Sequence, residues 1–205
     1  MQAQKLELLL RANASFGFEQ DFLNYNGFEY LYSPGGGVGL EIGLESEVAK
    51  GFSVNMTIGY QQNLVWHYSD INGFDNESSF RFNRKFVAIG IKQLIRFTPH
   101  VFQGMYIGAG VNYSIPGTLK LVENSWRYGD IDYSSALGFY GEFGFRLRIS
   151  KKKRIFLEPG IRVKIIRMNA KAYELGEVSD VADSFRDLNV SGIEVFSLGL
   201  IKRFK

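Results

Sequence analysis

Apolar and polar residues alternate along most of this chain. From Lys5 the even positions read Leu6, Leu8, Leu10, Ala12, Ala14, Phe16 and Phe18, while the odd positions read Lys5, Glu7, Leu9, Arg11, Asn13, Ser15 and Gly17. Successive side chains of a strand point to opposite faces, so this run predicts one apolar and one polar face. The pattern recurs seven times and predicts strands over about 5–18, 36–46, 51–66, 82–97, 103–115, 133–149, 154–167 and 191–204. The eighth run is the least regular. Pro159 cannot donate to a ladder, so a local bulge is expected there.

The connections alternate in length. Ser46 to Lys50, Thr98 to Phe102 and Ser150 to Lys153 are tight links, whereas residues 19–35, 67–81, 116–132 and 169–190 are long and polar. Three short and four long links around eight strands place both termini on the short-link side. The expected fold is all-β: a single domain over 1–205, an eight-stranded antiparallel up-and-down transmembrane β-barrel with short turns at one end and long loops at the other.

Volume decides which face is outside. An eight-stranded barrel has an interior just wide enough for its own side chains or one small ligand, and the roughly forty apolar residues cannot share it. The opposite face is mostly Gly, Ser, Asn and Thr with scattered charges, which suits a narrow lumen. The apolar face is therefore expected to meet lipid. Phe52, Phe97 and Phe204 fall at the short-turn rim and Tyr60, Trp66, Tyr113 and Phe139 towards the loop rim, as interfacial aromatic belts require.

Composition adds to this picture. The chain has 205 residues, 15% aromatic, with 23 Gly, 4 Pro and no Cys, which favours β-structure and excludes disulfides and thiolate metal sites. A net charge of +3 is too weak a bias to imply nucleic acid. No apolar run approaches the ~20 residues of a membrane helix. Met1-Gln2-Ala3-Gln4 lacks a charged segment followed by an apolar one. The expectation is that an export signal peptide has been removed and Met1 added.

Three segments, Met105-Tyr-Ile-Gly-Ala-Gly-Val-Asn-Tyr113, Phe139-Tyr-Gly-Glu-Phe-Gly-Phe145 and Phe156-Leu-Glu-Pro-Gly-Ile-Arg162, resemble the small outer-membrane β-barrel family that includes OmpX and the OmpA transmembrane domain. The last of them is similar to its porin-T-like branch. The resemblance implies a bacterial outer-membrane protein with extracellular loops and periplasmic termini. It also implies a C-terminal strand, here ending Phe204-Lys205, that is read by the outer-membrane assembly machinery.

The candidate chemistry lies on the polar face. Glu7, Glu41, Glu45, Glu142 and Glu158 stand with Arg11, Lys92, Arg96, Arg146, Arg148, Arg162 and Lys164. An uncompensated charge in a narrow lumen is costly, so these residues are expected to pair into a network that plugs the barrel. His67-Tyr68-Ser69 places an imidazole two residues from a hydroxyl, similar to the His-x-Ser of outer-membrane lipid A deacylases. Spacing supplies neither an orienting carboxylate nor an oxyanion site, so the segment reads as a loop rim, with no catalytic residues, cofactor or metal. Lys151-Lys152-Lys153-Arg154 reads as a solvated cap on a tight turn.

Loops on a rigid scaffold are where binding tends to sit. Phe22, Tyr25, Tyr30, Trp126 and Tyr128 are the candidates, and the fourth loop adds Glu174, Glu177, Asp180, Asp183 and Asp187. The expected function is a monomeric, lipid-embedded surface protein binding a protein or glycan through its loops, in adhesion or envelope integrity. The alternatives are an accessory subunit of a larger outer-membrane assembly or secretion complex, a narrow pore, and a lipid A-modifying enzyme.

Overall fold

The computed structural model describes residues 5–18, 21–25, 28–63, 78–97, 101–123, 126–152, 154–175 and 187–203. The strands among them are β1 (Lys5–Gly17), β2 (Asp21–Tyr25), β3 (Phe28–Tyr32), β4 (Gly37–Ala49), β5 (Phe52–Gln62), β6 (Ser78–Arg81), β7 (Asn83–Arg96), β8 (Phe102–Pro116), β9 (Leu119–Glu123), β10 (Trp126–Tyr133), β11 (Ala136–Ser150), β12 (Ile155–Leu157), β13 (Gly160–Ile165), β14 (Arg167–Leu175), β15 (Asp187–Asn189) and β16 (Gly192–Arg203).

The period of two, sustained over a dozen residues at a time, builds one closed sheet. Its order runs β1, β4, β5, β7, β8, β11, then β12 with β13, then β16, which pairs back onto β1. β12 and β13 are two halves of one stave, so the all-β barrel has eight staves, and every pairing is antiparallel. The tight turn after β4 depends on Gly51, whose φ of 76° lies in the left-handed region that glycine adopts without strain.

The stave formed by β12 and β13 is interrupted at Glu158-Pro159. Proline offers no N–H, although its carbonyl still accepts from Phe145 N at 2.9 Å. The bulge itself lies in the neighbouring strand. On β16, Leu198 pairs with Ala12 and Phe196 with Asn13, so Ser197 is an extra residue. It falls where Pro159 has no hydrogen to give.

Residues 19–35, 67–81, 116–132 and 169–190 contain strands where their composition reads as loop, which corrects that expectation. β2 and β3 form a hairpin, and β15-β14-β10-β9-β6 form a five-stranded sheet above one side of the barrel. Bulges at Arg127/Gly129 and Asp132/Tyr133 break the alternation there, and the faces are reversed. In the barrel the charged residues point inward and the outward residues are mostly apolar. In the extension Leu119, Ile131, Tyr133, Met168, Leu188 and Val190 are buried while Lys120, Asp132, Arg167, Asn169 and Lys171 are exposed. β13 and β14 show the change along one line of chain. Inward residues pass from Arg162 and Lys164 to Ile166 and Met168, and outward ones from Ile161, Val163 and Ile165 to Arg167, Asn169 and Lys171.

Candidate functional site

The barrel interior is built from residues two apart on every stave. Six carboxylates (Glu7, Glu41, Glu45, Glu142, Glu158, Glu194) and six cations (Arg11, Arg84, Lys92, Arg146, Arg162, Lys164) are buried among the described residues. The set is electrically balanced.

The pairs form a continuous path along the lumen. At the short-turn end Arg146 reaches Glu7 at 3.0 Å and Glu45 at 3.1 Å, and its Nε contacts Glu158. Lys92 bridges Glu158 at 3.0 Å and Glu45. Arg11 lies 3.0 Å from Glu142, 3.7 Å from Glu158 and 4.0 Å from Glu41. Arg162 holds Glu41 at 2.6 Å, Glu142 at 3.0 Å and Glu194 at 3.3 Å. Towards the loops Lys164 meets Glu194 at 2.7 Å and Arg84 meets it at 3.4 Å. Gln61 Oε1 accepts from Arg84 Nε and Lys164 Nζ, both at 2.8 Å. The forked guanidinium lets Arg11, Arg146 and Arg162 each serve three carboxylates from different staves, which a lysine does less well.

Aromatic rings fill the remaining space. Arg162 lies 4.6 Å from the Tyr140 ring centroid, Lys92 4.8 Å from Tyr106, Arg84 5.0 Å from Phe86 and Arg146 5.6 Å from Phe156. These rings need bare backbone opposite them. A Cβ on Gly90 or Gly110 would strike Tyr140, one on Gly144 would strike Tyr106, and one on Gly59 would strike Phe86. At the short-turn mouth a cavity of about 10 Å³, lined by Glu7, Glu45, Glu47, Ser53, Arg96 and Arg146, has room for about one water.

Ten of the twelve expected charges meet in this network: Glu7, Arg11, Glu41, Glu45, Lys92, Glu142, Arg146, Glu158, Arg162 and Lys164. Arg96 and Arg148 do not. Arg96 is exposed at the short-turn rim and pairs with Glu47, and Arg148 is half-buried where β11 bulges at the end of its ladder. Their parity is inward, but the lumen has already opened at that height.

Arg84, Glu194, Gln61 and Glu47 escaped the sequence reading. Arg84 follows the inward parity of its strand and was visible by extending the count. Glu194 was hidden, because the bulge at Ser197 reverses parity and a count from the C-terminal half places even residues outward.

Of the aromatics, Tyr60, Phe97, Tyr113 and Phe139 are exposed on the outer surface and Phe52 is half-buried. Trp66 and Phe204 lie outside the described residues, as do His67 and Ser69. Phe22 and Tyr25 belong to β2, Tyr30 to β3, and Trp126 and Tyr128 to β10; of these five only the backbone is described.

Neither a protein-family model nor a curated protein sequence matches the chain. Solved structures do. The outer membrane protein OprG from Pseudomonas aeruginosa superimposes with a TM-score of 0.63 at 12% identity, over 98% of this chain and 96% of that one. A major outer membrane protein from Thermus thermophilus gives 0.59 at 12% identity, over 99% and 100%. Neisserial surface protein A gives 0.52 at 9% identity, over 98% and 97%. At such identities the likeness is one of fold.

Proposed function

Because the chain has the fold of the small outer-membrane β-barrels, we propose that it spans the outer membrane of a bacterium with its lumen closed by ion pairs and acts through the strand-bearing segments at its loop end. The observation that carries this reading is the inside-out distribution of residues. Twelve balanced charges are buried along the axis, while Leu40, Ile58, Ile107, Leu137, Phe139 and Ile165 are each more than half exposed on the outer face. Water would disfavour such a surface, whereas acyl chains would solvate it. The reversal of faces between β13 and β14 supports a bilayer boundary near residue 166, where the outer surface passes from lipid to water.

The reading is non-enzymatic. The rigid barrel serves as a base, and the β2–β3 hairpin and the five-stranded extension present the surface that meets a protein or glycan. Planar-bilayer recording on the purified barrel is expected to show no steady large conductance, and such a conductance would overturn the closed lumen. A pull-down from native membranes under mild detergent tests the mode of action. A lone surface barrel is expected to come down without a stoichiometric partner, whereas a constant partner would make it a subunit of a larger assembly.

A further inference from the structure

The twelve buried charges of the described residues balance, so the formal net charge of +3 comes from the rest of the chain. It is unevenly placed. At the short-turn end the cations whose side chains are described are Lys50, Arg96, Arg148, Lys151, Lys152 and Arg154, and all but the half-buried Arg148 are exposed. The one described carboxylate there outside the lumen is Glu47, and Arg96 already holds it. The sequence between β5 and β6 and between β14 and β15 carries Asp70, Asp75, Glu77, Glu177, Asp180 and Asp183 against Arg186.

The uncompensated cations border an apolar, aromatic band. Val101 is 68% exposed and Ile149 58%. Beside them Phe97 stacks on Phe102 at 5.5 Å, and Phe102 meets Phe145 at 5.7 Å. Arg148 N donates to Val101 O at 2.7 Å, which ties the short turn before β8 to the end of β11 that carries the basic turn. Cations placed just beyond a lipid-facing apolar band lie at the depth of lipid phosphates.

We propose that the short-turn rim is a docking surface for anionic phospholipid headgroups, with Lys50, Lys151, Lys152 and Arg154 as a cationic collar on the phosphates of the leaflet they face. This rests on the membrane-barrel reading above. The collar gives the barrel a fixed depth and a preferred lipid shell at one end only. It also gives the basic turn a role beyond staying in water.

The test uses the whole chain refolded into phosphatidylcholine bilayers with traces of spin-labelled phosphatidylcholine or phosphatidylglycerol. The fraction of each label held in the boundary shell is measured. The expected result is a preference for phosphatidylglycerol of about threefold or more, falling towards unity near half-molar salt. Combining Lys50→Gln, Lys151→Gln, Lys152→Gln and Arg154→Asn is expected to abolish it, Asn being chosen because Arg154 has a φ of 53°. Lys120→Gln with Lys171→Gln, at the loop end, is expected to leave it intact.

A folded barrel with no headgroup preference, or one whose preference survives the fourfold variant, would overturn the collar alone. Competition by inorganic phosphate beyond the effect of matched sodium chloride would overturn its assignment to lipid. A wild-type chain that forms no heat-resistant β-structure in either bilayer would overturn the membrane-barrel reading instead.

Discussion

Arg162 touches Glu41, Glu142 and Glu194 and stacks on Tyr140, so its loss leaves three buried carboxylates with one fewer counter-charge. Removing one partner of a buried ion pair costs about 3–5 kcal/mol, mostly because the survivor cannot be rehydrated. Arg162→Met is expected to lower barrel stability by about that amount, measured by urea unfolding in vesicles. Combining it with Glu142→Gln is expected to cost less than the sum of the two single changes. The glycines under the rings are equally specific. Gly90→Ala drives a Cβ into Tyr140 Oη and is expected to cost about 1–3 kcal/mol, with part of the loss recovered in Gly90→Ala/Tyr140→Phe. Failure of that rescue would place the strain in the backbone of β7 and β8 instead.

At the scale of elements, the line of chain through β13 and β14 serves as a depth gauge. A lysine on the lipid face costs about 2–4 kcal/mol near the midplane and almost nothing at the interface. The series Ile161→Lys, Ile165→Lys, Asn169→Lys is therefore expected to fall from a cost of a few kcal/mol to none, read by the same unfolding titration. A flat series would contradict a bilayer boundary near residue 166.

The staves were legible in the sequence because a face that must be apolar over a dozen residues writes period two along most of its length. The extension was not legible. Bulges at Arg127/Gly129 and Asp132/Tyr133 break its phase, and its sense is opposite to that of the staves below. The same physics divides the site. Arg11, Glu41, Glu142 and Arg162 could be read from parity, whereas Glu194 stood behind the Ser197 bulge. Which carboxylate meets which cation depends on register around the closed ring, and alternation within one strand carries no register.

For the whole molecule, the non-enzymatic reading predicts that His67→Ala leaves the mass spectrum of lipid A unchanged in cells producing the protein. Loss of a specific acyl chain that depends on His67 would contradict it.

The balanced lumen also bears on the order in which the barrel is made. Glu194 belongs to β16, and its carboxylate serves Arg84 from β7 and Arg162 and Lys164 from β13. Until β16 joins the sheet, those three cations lack part of their counter-charge, and the described lumen residues of the other staves carry six cations against five carboxylates. On the proposed membrane-barrel reading, placing such an open sheet in hydrocarbon is costly, and ring closure and entry into the bilayer are expected to be nearly one event. Glu194→Gln is expected to slow the appearance of the heat-resistant form in vesicle refolding by more than Glu7→Gln, although both remove one carboxylate from the same network.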